Sequence, residues 1–117
     1  MASSLTAYIS RSVFDQIDQE SEYYEETKGD IAGKEVRMYI HAAMKKAARD
    51  PWAYAVPPHC PQNYRRIVAK PFVIFYRINE KKQELTFYLI RGGSQKPLTA
   101  AAHRRIAVAG EKDRTEL

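Results

Sequence analysis

Cysteine is almost missing from this chain: Cys60 stands alone, so no internal disulfide can form. A 117-residue chain without that staple fits a reducing compartment and must be held by its core. Long apolar runs are missing too. No stretch approaches the ~20 apolar residues of a membrane span, and Met1 to Ser10 has neither a basic start nor a run of signal length. The expectation is a soluble, cytoplasmic protein with no membrane contact. Its histidines, His41, His59 and His103, are scattered and form no zinc spacing with Cys60. No glycine loop of phosphate-binding type occurs, because Gly92-Gly93 reads as a turn after a strand. No metal and no cofactor are expected.

What the chain does have is positive charge, tyrosine and a normal share of apolar residues. Nineteen Lys and Arg against fourteen Asp and Glu leave a net charge of +5, which favours an anionic partner, either nucleic acid or an acidic protein segment. Eight Tyr against one Trp suit positions that are half buried and half wet. An apolar fraction of 44% lies in the globular range and argues against disorder.

Leu5, Ala7 and Ile9 alternate with polar neighbours and predict a short first strand. Ser10 or Ser12 is placed to cap a helix carrying Phe14, Ile17, Ser21 and Tyr24 on one face and ending near Thr27. Asp30 is placed to cap a second helix with a stripe of Ala32, Val36, Ile40, Ala43 and Ala47, stopped by Pro51. Trp52 to Asn63 holds three prolines and no period, so it reads as a loop. Tyr64 to Lys70, Phe72 to Ile78 and Leu85 to Arg91 are rich in β-branched and aromatic residues at strand length. Their short connections imply an antiparallel meander. Leu85, Phe87 and Leu89 mark one face of the last strand.

The fold class is therefore α+β: an N-terminal strand, a helical hairpin, an antiparallel three-stranded meander and a C-terminal helix. The hairpin covers one sheet face, leaving the other free for a ligand or partner. Residues 1–97 read as one domain. Residues 98–117 read as a C-terminal extension, a helix through Leu98, Ala101, Ala102, Ile106 and Ala109 stopped at Gly110, then a frayed tail.

The chemistry that remains sits on the meander. Arg65, Arg66, Lys70, Arg77, Arg91 and Lys96 are candidate anion- or partner-binding residues, because guanidinium groups grip phosphate and carboxylate in a bidentate way. Tyr64, Tyr76 and Tyr88 interleave with them and offer rings for stacking. Alternation separates Arg65 from Arg66. The face that carries Arg77 stays open, since both alternating sets of its strand are largely apolar.

The run YRRIVAKPFVIFYRINEKKQELTFYLIRGG, Tyr64 to Gly93, resembles the C-terminal meander of RelE/ParE toxins, and the upstream hairpin with Gly29, Ala32 and Pro51 is similar to theirs. Arg65-Arg66-Ile67-Val68-Ala69, a proline, then Ile74-Phe75-Tyr76-Arg77 is closer to the ParE branch. The resemblance implies a type II toxin, neutralised by a cognate antitoxin that folds as it binds. ParE-like members cause growth arrest by binding DNA gyrase and are linked to plasmid stabilisation. The RelE alternative implies an endonuclease acting on ribosome-bound mRNA, with Arg65, Arg77 and Arg91 as its catalytic cage. A third alternative is a non-toxic binding module on the same fold. No His or His-Tyr pair directly follows the last strand, where Arg91-Gly92-Gly93 stands. Arginine is a poor acid–base group near neutral pH, so the expectation leans toward gripping a partner.

Overall fold

Ser10 settles where the first helix begins. In the computed structural model, which describes residues 5–117, its Oγ accepts a hydrogen bond from the Val13 amide at 3.2 Å. This cap joins strand β1 (Thr6–Ser10) to helix α1 (Arg11–Lys28). The buried row on α1 is Val13, Ile17 and Ser21: Ile17 and Ser21 lie inside as expected, but Val13 takes the place of Phe14, which stands outside with 46% of its surface exposed.

Helix α2 (Asp30–Arg49) follows after a single residue, Gly29, whose φ of 100° lies in the region that favours glycine. Its amide closes α1 on the Glu25 carbonyl at 2.9 Å. Asp30 is therefore not the cap expected of it; it is the first helical residue, where a carboxylate meets the positive end of the dipole. The buried row on α2 is Gly33, Val36, Ile40, Met44 and Ala47, with Ala32 and Ala43 at its margin. A Cβ on Gly33 would lie 2.9 Å from the Ser21 carbonyl oxygen, so the helices touch there backbone to backbone. Ser21 Oγ donates to the Gly33 carbonyl at 3.0 Å and locks the crossing.

Three strands follow: β2 (Tyr64–Ala69), β3 (Phe72–Asn79) and β4 (Glu84–Gly92), paired as the expected antiparallel meander. β1 lies parallel to β4 on its far side, Thr6 opposite Glu84 through Ile9 opposite Phe87. A last strand, β5 (Arg114–Glu116), runs antiparallel to β1, so the sheet order is β2-β3-β4-β1-β5.

A bulge breaks the alternation of β4. Phe75 pairs with Leu89, but Tyr76 pairs with Phe87, leaving Tyr88 as an extra residue. Leu85 and Phe87 thus face the hairpin, whereas Leu89 lies with Tyr88 on the opposite face, not with them as period two implies. The main core holds Val13, Ile40, Met44, Ile74, Tyr76, Ile78 and Phe87 between hairpin and sheet.

The other face is not free. Helix α3 (Ala100–Lys112) packs on it, and Tyr64, Phe75, Tyr88 and Ala107 form a second buried cluster. Three aromatic rings on one face cannot be left in water without cost, and α3 is what removes them. Its inward side is His103, Ala107 and Gly110 rather than the Ala101–Ile106 side, and it runs past Gly110 to Lys112. Nor does the tail fray. Arg114 donates to Thr86 Oγ1 and Glu84 Oε1, both at 2.8 Å, and stacks 3.9 Å from the Tyr8 ring centre. The Leu117 amide closes the strand on the Ala7 carbonyl at 2.8 Å.

Candidate functional site

The register sorts the meander's cations by face. Arg65 stands opposite Tyr76, which buries its ring in the hairpin core, so Arg65 lies on the hairpin side. Its guanidinium donates to the carbonyls of Gln62 at 2.7 Å and Tyr54 at 3.0 Å, and to that of Trp52, whose ring it covers at 5.1 Å. Tyr76 Oη donates to the Pro51 carbonyl at 2.7 Å. Together they fasten the proline-rich loop, residues 50–63, to the edge of the sheet. Three carbonyls and Gln62 Oε1, at 3.4 Å from Nη2, occupy four of the five guanidinium donors and leave little capacity for an outside anion.

Arg66 and Arg77 lie on the opposite face, beside Phe75 and Tyr64 respectively. Arg77 is committed: its Nη1 pairs with Glu111 of α3 at 3.1 Å, and its guanidinium covers the Tyr64 ring at 5.6 Å. Its Nε is the one buried side-chain polar atom without a partner among the described residues. Arg91 spends one nitrogen, Nη1, on the Lys96 carbonyl at 2.6 Å. Lys70 and Lys96 are exposed on either side of the sheet's end. Arg66 is half buried, and its guanidinium has no hydrogen-bond partner among the described residues.

The residue that sequence reasoning passed over is His103. Its ring is buried, with Nδ1 2.8 Å from Tyr88 Oη and its centre 4.9 Å from that of Phe75. A His-Tyr pair therefore does form, from β4 and α3, although none follows the last strand in sequence. Arg66, Arg91 and His103 share a cleft of about 110 Å³, walled by Pro57, Val73 and Phe75. Burial pushes the His103 pKa below its ordinary value, and the nearby charges of Arg91 and Arg66 push it further the same way. Burial holds the Tyr88 phenol far above its usual range. A neutral imidazole and a neutral phenol thus meet beside two guanidinium groups. Thr99 was the legible signal: its Oγ1 caps α3 through the Ala102 amide at 3.1 Å, and His103, Ala107 and Gly110 follow at helical spacing.

This geometry makes stability depend on pH. Unfolding releases His103 to its ordinary pKa of about 6.5, so between the two values the unfolded chain binds more protons than the folded one. The penalty is absent well above that pH and grows as pH falls through it. Urea midpoints should therefore drop on acidification through this range. The drop should be smaller in Arg66→Gln, where one of the two cations is gone.

A family model described as ParE toxin of type II toxin–antitoxin system, parDE, matches residues 8–97. The match starts within β1, at Tyr8, and runs past the end of the meander to Pro97. The chain belongs to the ParE toxin family. It is thus the toxin of a type II toxin–antitoxin pair, and an antitoxin is its partner by that membership. A search among curated proteins found no match. The part of this ParE-family toxin that supplies His103, Glu111 and Arg114 lies beyond the matched residues. No helix among the described residues is long and apolar enough to cross a membrane. No group of three or more His, Cys, Asp or Glu that could hold a metal ion comes together among them.

Proposed function

We propose that this ParE-family toxin arrests growth in the cytoplasm by binding a protein target, DNA gyrase, and that its cognate antitoxin blocks that binding. The observation that carries this reading is the dispersal of the nuclease cage. Arg65 is on the hairpin face holding a loop, and Arg77 is paired with Glu111, so Arg65, Arg77 and Arg91 do not converge on one phosphate. A transition state carrying extra negative charge needs its cations pre-aimed at one point.

One observation favours the mRNA endonuclease instead: Arg66, Arg91 and His103 share a cleft, and an imidazole is a competent proton-transfer group. The test is a pair of assays on the purified chain. Gyrase supercoiling should fall and cleaved DNA–gyrase complexes should accumulate, while mRNA on ribosomes stays intact. Intact gyrase activity together with mRNA cleavage that disappears in His103→Gln would replace the first reading with the second. No effect in either assay, from folded protein, would leave a binding module without toxicity.

A further inference from the structure

Two like charges half buried side by side, with a third basic group behind them, form an arrangement that wants an anion. Arg66 and Arg91 have only one side-chain hydrogen bond between them among the described residues, the one to the Lys96 carbonyl. His103 closes the back of the cleft. Its Nδ1 is engaged by Tyr88, and no hydrogen bond engages its Nε2 among the described residues. The cleft volume, about 110 Å³, suits a single tetrahedral oxyanion rather than a whole nucleotide.

The cleft is not a closed pit. A wider groove shares Arg66, Val73, Arg91, Gly92 and Gly93 with it, and passes Val68 and Lys70 to reach Tyr23 and Tyr24 on α1. Tyr23 keeps 61% of its surface exposed and meets Tyr24 edge to face at 5.8 Å. Lys28 covers the Tyr24 ring at 5.4 Å. Among the described residues Glu20 is the only acidic one on this groove, and it belongs to α1, whereas the arginines belong to the strands. Cations at one end and an open tyrosine ring, that of Tyr23, at the other are how single strands are held without reading their sequence.

We propose that Arg66, Arg91 and His103 form a receptor for one phosphate group of a single-stranded nucleic acid, and that the groove toward Tyr23 carries the adjoining nucleotide. Arg66 and Arg91 supply charge-assisted hydrogen bonds to the phosphate oxygens, and the His103 imidazolium, whichever tautomer the neutral ring adopts, supplies a third donor at Nε2. The anion opposes both causes that keep His103 neutral, since its charge offsets those of Arg91 and Arg66. The groups facing His103 are Arg91 and Tyr88 from β4, Arg66 from β2 and the uncharged Phe75 from β3. The site uses the three residues on which the second target reading rests but requires no cleavage, and its test contains no gyrase and no ribosome, so either can fail without the other.

The test follows the His103 ring by proton–carbon NMR through a pH titration of the purified chain. The titration is made alone, with inorganic phosphate, with an oligothymidylate lacking any 2′-hydroxyl, and with polyglutamate of matched charge. Phosphate and oligothymidylate should both raise the His103 pKa, and salt should weaken the oligonucleotide. Arg66→Gln should weaken both ligands about tenfold or more without lowering the melting temperature at alkaline pH, where His103 is neutral folded or unfolded and Arg66 has no folded-state hydrogen bond to lose. Tyr23→Ala should weaken oligothymidylate about tenfold and leave phosphate unaffected. A His103 titration untouched by phosphate, or equal affinity in Arg66→Gln, would overturn the receptor. A response to phosphate without one to oligothymidylate, or polyglutamate binding as well as the oligonucleotide, would overturn the strand.

Discussion

Ending the chain at Pro97 is expected to remove most of its folding stability. The matched family region stops there, yet the packing does not. Without α3, the rings of Tyr64, Phe75 and Tyr88, now at most 6% exposed, would face water. Covering a large apolar side chain contributes about 1.5–3 kcal/mol, so three rings together represent a large share of the ~5–15 kcal/mol that holds a typical domain. Arg77 would also lose Glu111, and Glu84 and Thr86 would lose Arg114. β1 would become an open sheet edge, which invites pairing between chains. The shortened chain should bind a hydrophobic dye, melt without a sharp transition and aggregate. A cooperative melt near that of the full chain would instead make residues 1–97 a domain in its own right and 98–117 an appended extension. That is the division the sequence suggests, and this one measurement decides between the two.

The second large effect is expected from a single residue. Gly33→Val should cost about 3 kcal/mol, at the upper end of the range for overpacking. Its Cβ would sit 2.9 Å from the Ser21 carbonyl oxygen and 3.0 Å from Glu25 Cβ, and the nearer neighbour is backbone that cannot rotate away. Relief comes only from moving α1 and α2 apart, which breaks the bond from Ser21 Oγ to the Gly33 carbonyl and loosens the core that Ile17 and Ile40 share. Valine also enters a helix where glycine is intrinsically poor, and this returns a few tenths of a kcal/mol at most. The expected readout is a lower urea midpoint with an unchanged slope, because the same surface is exposed on unfolding. Gly33→Ala should give a smaller loss in the same direction. A valine variant as stable as the parent would show that the crossing yields easily.

These two sites lie at opposite ends of what the sequence discloses. The hairpin was legible because each helix repeats its buried residues every three or four positions, and a period survives a one-residue error of phase. Ile17, Ser21, Val36, Ile40 and Ala47 lie inside as expected, but the first residue of each stripe was misread, Phe14 for Val13 and Ala32 for Gly33, because a large apolar residue looks more like core than a small one. At a close crossing the small residue is the one inside. The meander was legible from β-branched runs and short turns. The faces of β4 were not, since one bulged residue at Tyr88 inverts the alternation for everything after it.

The candidate site divides in the same way. Arg66 and Arg91 were named as anion-binding residues from their type and their place on strands, and the structure puts both in one cleft. Arg65 carries the same chemistry, but its position opposite Tyr76 turns it to the face where the loop carbonyls are. Tyr88 and His103 are fifteen residues apart in sequence, and nothing local in either stretch requires them to meet.

Local conformational preference and the period of apolar residues are properties of short segments, so sequence alone determined the order of helices and strands through the meander. The cluster of basic residues and the ParE-like signature of Tyr64 to Gly93 were legible for the same reason. The parallel seat of β1 beside β4, the closing strand β5 and the covering of the second sheet face by α3 depend on contacts between residues far apart in the chain. Those contacts form only where buried area and paired polar groups outweigh the entropy of bringing distant segments together. Tertiary packing therefore decided which arginines are anchors and which keep free donors.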